Sequence, residues 1–207
     1  MKKILTILLA LCLMLGMVAC SGESTEETAV EENETESTAE QTEDTDGQTG
    51  KDTLVVFFSA TGNTKGIAEK IAAIEDADLY EIKAAQEYTS EDLDWNDSES
   101  RSTKEQNDSS ARPEIGSDPV SLEGYTTVYI GYPIWFGEEP RIMDTFVEAY
   151  DFDGITMIPF CTSGSSGNGN SGQNLAENAG SGNWLDGERF DAGASEEEIQ
   201  SWIDGLQ

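Results

Sequence analysis

Three short stretches of this 207-residue chain collect hydroxyl, glycine and aromatic residues that could bind a ligand. They are SATGNT at residues 59–64, YPIWFG at 132–137 and CTSGSSG at 161–167. Each follows a short apolar run, which is typical of a strand buried in a sheet. Because ligands of open parallel sheets bind beyond the carboxyl ends of the strands, we expect the three stretches to surround one site.

The first stretch has the composition of an anion-binding loop. The hydroxyl groups of Ser59, Thr61 and Thr64 can donate hydrogen bonds, and Gly62 permits backbone conformations that other residues resist. The first amides of a helix that begins here would point into the same space. The stretch matches neither a Walker loop nor the pattern GxGxxG, so a dinucleotide is disfavoured. The alternative is a capped helix after a tight turn, with no ligand.

The other two stretches could hold a flat ligand. Trp135 and Phe136 lie in a connection between Pro133 and Gly137, where a ring can cover a planar molecule. An aromatic plug beneath a neighbouring loop is the alternative for both rings. The third stretch offers backbone and hydroxyl groups that could bind the polar edge of a heterocycle, or it is simply a mobile loop.

Alternating strands and helices position these stretches. Apolar runs too short for helices, separated by segments with apolar residues at helical spacing, predict an α/β fold with one doubly wound sheet. A polar segment at 84–118 interrupts the pattern, and we expect a partly helical insertion there, helical around 98–106, that acts as a lid or edge cover without chemistry. We predict strands at 53–59, 77–82, 126–132, 155–160 and 184–190, and helices at 64–74, 139–150, 171–179 and 195–206.

The charge balance limits the possible functions. Residues 53–207 carry 30 acidic and 8 basic residues, a net charge of −22, which disfavours nucleic acid and favours cationic partners. The chain has no histidine, which excludes histidine-based triads and histidine-ligated metals. Cys161 ends a buried strand and is interpreted as a small apolar residue. We therefore predict no catalytic residue and no metal ligand.

The N-terminal residues have the pattern of a secretory signal. A short positive start and an apolar run predict a signal peptide at 1–19, and LGMVAC resembles a bacterial lipobox in which Cys20 becomes lipidated. Residues 20–52 are acidic and almost free of apolar side chains, which predicts a disordered tether. The domain at 53–207 would then be lipid-anchored at the extracytoplasmic face of the cell membrane. Ordinary secretion is the alternative.

In their order and spacing, SATGNT, GYPIWFG and CTSGSSGNG resemble the phosphate loop and the two flavin loops of the flavodoxin family. The resemblance extends over essentially the whole of 53–207. It implies a flavodoxin-like fold, a single doubly wound five-stranded parallel sheet with strand order 2-1-3-4-5, and FMN as the cofactor. The implied cofactor-binding residues are Ser59, Thr61, Gly62, Asn63, Thr64, Pro133, Ile134, Trp135, Phe136, Gly137, Thr162, Ser163 and Gly164.

The resemblance also assigns roles within that set. It implies that Ser59 to Thr64 hold the phosphate of FMN and that the ring of Trp135 stacks on the isoalloxazine. It implies that the peptide between Phe136 and Gly137 turns its carbonyl toward the reduced flavin. Many flavodoxins cover the other flavin face with a tyrosine, but Thr162 to Asn170 contain no aromatic residue. That face would be exposed, or covered by the insertion at 84–118.

Three functions follow from these features. The first is an FMN-dependent electron carrier, held at the membrane only through its lipid anchor, that docks a cationic redox protein or a small electron acceptor. The second is an FMN-dependent reductase of a quinone or another small molecule, with the insertion as its substrate pocket. The third is a lipoprotein that binds a phosphorylated ligand without redox chemistry.

Overall fold

A parallel β-sheet forms the centre of the part of the chain, residues 50–206, that the computed structural model describes. Helices are inserted between the strands along the chain. The signal peptide, Cys20 and most of the tether lie outside the described residues. The elements are β1 (Thr53–Phe58), α1 (Asn63–Ile74), β2 (Asp78–Ile82), α2 (Arg101–Asn107), β3 (Thr127–Pro133), α3 (Arg141–Glu148), β4 (Thr156–Thr162), α4 (Ser171–Ala179), β5 (Asn183–Trp184), β6 (Glu188–Phe190) and α5 (Glu196–Asp204).

The strand order is β2-β1-β3-β4-β5, and every strand pair is parallel. The fold class and strand order predicted from the sequence are therefore confirmed. Because the strands are parallel, the loops that follow β1, β3 and β4 meet at one edge of the sheet. The hydrogen bond from the Ile134 amide to the Thr162 carbonyl, 2.9 Å long, joins the loop after β3 to the end of β4.

Both faces of the sheet are buried, as the continuous apolar runs of the strands predict. Leu54, Val56 and Phe58 of β1 face one core layer, which contains buried residues of α3 and α4. Val55 and Phe57 face the other layer, which contains buried residues of α1 and α5. The two layers fix the sheet between the helices and hold its carboxyl edge in place.

The last predicted strand, at 184–190, is in fact two strands. Both β5 and β6 pair with β4, so six strands fill five positions. Pro159 of β4 has no amide hydrogen, and the edge strand breaks opposite it. Gly187 passes so close that an added Cβ would lie 2.9 Å from the Pro159 carbonyl oxygen. The break lets β6 continue toward the loop that follows β4.

The insertion at 84–118 contains α2 and otherwise consists of turns. The helix expected around 98–106 is found one to three residues later, and its N-cap Ser100 accepts a hydrogen bond from the Thr103 amide. The two ends of the insertion are joined by an antiparallel bridge between Ala84 and Ile115. Gly116 lies so close to Ala85 that an added Cβ would be 2.7 Å from its Cα. The insertion is thus a closed excursion from the end of β2.

Candidate functional site

The loop between β1 and α1 leaves the N-terminus of α1 open. Gly62 adopts a left-handed conformation with φ of 88°, and no side chain caps the helix. No acidic residue lies in the first turn of α1, whereas α5 has Ser195 as a cap and three glutamates there. Uncapped first-turn amides attract an anion. The N-terminus of α5 is thus capped and balanced in charge by its own residues, whereas the first amides of α1 are left without a side-chain partner.

Hydroxyl groups connect this loop to the rest of the site. Ser59 Oγ accepts a hydrogen bond of 3.1 Å from the Gly62 amide, so the proton of that hydroxyl is directed elsewhere. Thr64 is buried, and its Oγ1 lies 2.8 Å from Oγ1 of Thr162, the last residue of β4. This buried pair fixes the first and third loops relative to each other. Thr61 and Asn63 are exposed at the rim.

The loop after β3 is a two-residue hairpin. The Trp135 amide donates to the Glu138 carbonyl at 2.9 Å, and the Glu138 amide donates back to Trp135 at 3.0 Å. The central residues Phe136 and Gly137 have φ of 53° and 91°, the pattern of a type I′ turn. Glycine suits the second position, but phenylalanine is strained at the first. The strain falls on a half-exposed aromatic side chain of the predicted site.

The Trp135 ring is held by other aromatic rings. It contacts Phe58 and Tyr88 edge to face, with centroid separations of 5.7 and 5.1 Å. Tyr88, from the insertion, donates a hydrogen bond to Glu105, and Arg101 lies over its ring at 4.0 Å. Burial and the nearby Glu105 carboxylate raise the pKa of Tyr88, which keeps its hydroxyl protonated. The insertion thus supports the ring that was predicted to stack on the flavin.

The insertion also holds the backbone of the hairpin. Gln106 Nε2 donates hydrogen bonds to the Trp135 carbonyl at 3.3 Å and to the Glu139 carbonyl at 3.1 Å. Arg141 Nη2 donates in turn to the Gln106 carbonyl and to Glu138. Sequence reasoning missed Gln106, because a single glutamine in a polar segment carries no pattern. The insertion at 84–118, expected to be a lid or edge cover, thus supports the hairpin after β3 that carries Trp135, which we call the tryptophan hairpin.

A second residue that the sequence did not reveal holds the third loop. Arg189 of β6 donates from Nε to Ser163 Oγ at 3.1 Å and from Nη2 to the Ser163 carbonyl at 2.6 Å. It also forms an ion pair with Asp191. The Ser163 hydroxyl donates to the Ser166 carbonyl, so the loop is fixed on both sides. Because β6 is separated from the motif in sequence, only its pairing with β4 brings Arg189 there.

Two cavities open between these loops, and they share Thr61, Pro133, Ile134 and Trp135. The first, which we call the loop cavity, has a volume of about 410 Å³ and also contains Asn63, Thr162, Ser163, Gly164, Asp191 and Ala192. The second, which we call the insertion cavity, has a volume of about 330 Å³ and also contains Ser59, Ala60, Thr64, Leu93, Trp95, Ser102 and Phe136.

The predicted site residues therefore converge. Eleven of the thirteen line one cavity or both, and the remaining two, Gly62 and Gly137, lie at the turns of the first and second loops. Leu93, Trp95 and Ser102 of the insertion line the insertion cavity but not the loop cavity. In the sequence, Leu93 and Trp95 are isolated apolar residues of a polar segment, which does not mark them as site residues.

The remaining candidate group for chemistry, the Cys161 thiol, is buried in the core. Its side chain is fully inaccessible, and burial raises its pKa to about 12. The thiol is thus protonated at neutral pH, as expected of a packing residue. Within residues 50–206, no group of three or more acidic or cysteine side chains is arranged to hold a metal ion.

No helix within that same part of the chain is long and apolar enough to cross a membrane.

Comparison with known proteins identifies the family. Residues 52–206 match the family model described as Flavodoxin, which is most of the chain. No curated protein matches. A candidate flavoprotein of Bacteroides uniformis is 47% identical with a TM-score of 0.71, and the match covers 75% of this chain and 99% of that one. A candidate flavoprotein of Bacteroides eggerthii is 45% identical with a TM-score of 0.70, covering 74% and 96%.

A more distant structure shares the fold. It is a flavoprotein of Lactobacillus acidophilus in complex with FMN, 24% identical with a TM-score of 0.54, and the match covers 74% of this chain and 99% of that one. The family match extends from the residue before β1 to the residues after α5, so it includes all three loops of the site. This chain belongs to the flavodoxin family.

Proposed function

We propose that this protein binds FMN at the carboxyl edge of its sheet and carries electrons at the extracytoplasmic face of the membrane. The observation that carries the proposal is the uncapped N-terminus of α1 beside a cavity bordered by Trp135. When bound, FMN supplies the redox chemistry, and the protein supplies binding, orientation and electrostatics. The flavodoxin family and the Lactobacillus acidophilus complex with FMN support the choice of cofactor.

The phosphate end of FMN fits the loop after β1. The first amides of α1, with the side chains of Ser59, Thr61, Asn63 and Thr64, offer neutral donors to a dianion. The two lysines of α1 make their contacts elsewhere: Lys65 pairs with Glu81, and Lys70 donates to the Ala194 carbonyl. Phosphate affinity then depends on the helix terminus rather than on an ion pair.

The ring end of FMN fits the loop cavity. Trp135 and Ile134 supply apolar surface there, and Thr162, Ser163 and Gly164 supply hydroxyl and backbone groups for the polar edge of the ring. Arg189 stiffens Ser163 through its two hydrogen bonds, which preserves that hydrogen-bonding surface before a ligand arrives. The residues present thus match both ends of the cofactor.

Electron transfer and membrane attachment complete the proposal. The net charge of −22 on residues 53–207 favours docking of a cationic redox protein or a small acceptor, and disfavours nucleic acid. Lipidation of Cys20 would anchor the domain, and the acidic segment at 20–52 would hold it away from the bilayer.

An FMN-dependent reductase is the second candidate, and the insertion cavity favours it because a carrier requires no second ligand pocket.

A comparison of FMN with riboflavin tests the proposed cofactor site. Both flavins are titrated into the apoprotein, and binding is followed by quenching of flavin fluorescence. Because charged hydrogen bonds contribute about 1.5–3 kcal/mol each, loss of the phosphate should weaken binding at least about 100-fold. Equal affinities would contradict a phosphate site at α1. Binding of neither flavin would overturn the proposal and favour the third function, a lipoprotein that binds a phosphorylated ligand without redox chemistry.

A further inference from the structure

We infer that the insertion cavity is a second ligand site, for an uncharged planar aromatic molecule of about two fused rings. This inference rests on the proposed function, with FMN in the loop cavity, and adds a partner molecule to it. The cavity lies across Thr61, Pro133, Ile134 and Trp135 from the loop cavity, so the two ligands would share one wall. Its volume of about 330 Å³ is at the lower end of small-molecule sites.

The walls of the insertion cavity are aromatic and uncovered. Only three large hydrophobic side chains are exposed within residues 50–206, namely Leu79, Trp95 and Phe136. Trp95 is 72% exposed and Phe136 is 52% exposed, and both border this cavity. Leu93 of the insertion lines the same cavity. Together the two exposed rings and Leu93 form an apolar surface of the kind that a ligand covers.

Trp95 is exposed because short turns hold it there, not because its segment is loose. Asp92 accepts hydrogen bonds from the amide and hydroxyl of Thr89, at 3.0 and 3.1 Å. The Asp92 carbonyl accepts from the Ser102 amide of α2 at 3.0 Å. On the other side, Asp94 Oδ1 accepts from the Asn96 amide at 2.9 Å. The wall is thus formed before a ligand binds, which reduces the entropic cost of binding.

Phe136 contributes a separate argument. It occupies a turn position with φ of 53°, where glycine or asparagine is favoured and phenylalanine is strained. Its ring is also half exposed, so half of its apolar surface is left for a ligand to cover. A strained, exposed aromatic side chain at a cavity wall indicates a binding role. Trp95 and Phe136 reach the cavity from different elements, the insertion and the hairpin after β3.

The charges near the insertion cavity select the ligand. Leu93 and Trp95 lie among five acidic residues between positions 91 and 99. Both cations of α2 are already engaged: Arg101 pairs with Glu105 and lies over Tyr88, and Lys104 pairs with Glu99. An anionic ligand, including a reduced nicotinamide dinucleotide with its phosphates, is therefore disfavoured.

Calorimetric titration of the FMN-loaded full chain with 2-naphthol and naphthalene-2-sulfonate tests this site. The two probes share one ring system and differ in charge, and neither is reduced by flavin. We expect 2-naphthol to bind, and the sulfonate to bind at least about 10-fold more weakly. Trp95→Ala should weaken 2-naphthol binding at least about 10-fold, and Trp95→Phe should restore most of the affinity. Leu79→Ala, which removes the exposed side chain outside the cavity, should change nothing.

FMN titrations of the same variants separate this inference from the proposed function. With FMN in the loop cavity, Trp95→Ala should leave FMN affinity within about 2-fold of the unaltered protein. If Trp95→Ala instead weakens FMN, or 2-naphthol competes with FMN, the insertion cavity holds the flavin ring, and the second site is wrong while FMN binding stands. No binding of 2-naphthol to the loaded protein also overturns the inference. Failure of the unaltered protein to bind FMN overturns both.

Discussion

At the scale of single residues, the hairpin after β3 concentrates strain at the site. Phe136 and Gly137 both have positive φ, but only glycine adopts it without cost. Phe136→Gly should change the free energy of unfolding by less than about 1 kcal/mol, because relief of the turn strain is offset by loss of the buried half of the ring. Gly137→Ala should lower it by about 1 kcal/mol, although no atom lies within 4 Å of the added Cβ. Urea unfolding measures both, and a loss for Phe136→Gly that exceeds the loss for Gly137→Ala would contradict the turn assignment.

Gly137→Ala should also change the redox behaviour of the bound cofactor. The resemblance to flavodoxins implies that the Phe136–Gly137 peptide turns toward the reduced flavin, and glycine makes such a rotation cheap. Gly137→Ala should then shift the one-electron reduction potentials of bound FMN in a redox titration. Unchanged potentials would show that this peptide does not respond to the redox state.

Glu139 is a buried carboxyl group that should make stability depend on pH. Burial raises its pKa from 4.5 to about 7, and Asp144 acts in the same direction, while Asn174 and Arg141 oppose them. Because the folded-state pKa is above the unfolded one, the stabilisation is complete below pH 4.5 and is lost as the pH rises to about 7. The pKa difference corresponds to at most about 3 kcal/mol.

Glu139→Gln should remove this pH dependence. The difference between the variant and the unaltered protein should be smallest near pH 5, because most of the loss of stability lies between pH 5 and 7. By pH 8 the variant should be the more stable by about 1–3 kcal/mol. Urea unfolding at four pH values between 5 and 8 measures the difference. A constant difference, or a less stable variant at pH 8 that has lost its 3.8 Å pairing with Arg141, would contradict the prediction.

At the scale of elements, α2 of the insertion holds the backbone of the tryptophan hairpin in position. Gln106→Ala leaves the carbonyls of Trp135 and Glu139 without this donor, which should lower the free energy of unfolding by about 1–3 kcal/mol. FMN affinity should fall as well, because the hairpin loses its brace. Gln200→Ala in α5, where the side chain reaches only Asp204, is the matched control. A variant with normal stability but weak FMN binding would mean that Gln106 contacts the cofactor instead.

The elements also show what a sequence can and cannot predict. Continuous apolar runs such as Leu54–Phe58 predicted the strands, and the three motifs predicted which loops would meet, since parallel strands bring their carboxyl ends together. The division of the last strand depended on Pro159 of a neighbouring strand, and the brace depended on Gln106. Pairings between distant residues leave no periodic signal, so the contacts of Gln106 and Arg189 could be found only in three dimensions.

At the scale of the whole molecule, the excess of acidic residues should select electron acceptors by charge. The field of residues 53–207, with a net charge of −22, attracts cations and repels anions before any specific contact forms. Salt screens such a field over about 8 Å at physiological ionic strength. When the bound FMN has been reduced, its oxidation by hexaammineruthenium(III), a cation, should therefore slow as salt is added. Oxidation by ferricyanide, an anion, should accelerate over the same range, and stopped-flow absorbance follows both reactions. The opposite signs separate electrostatic steering from a general effect of salt on the protein, and equal slopes for the two acceptors would mean that the acidic surface does not select the partner.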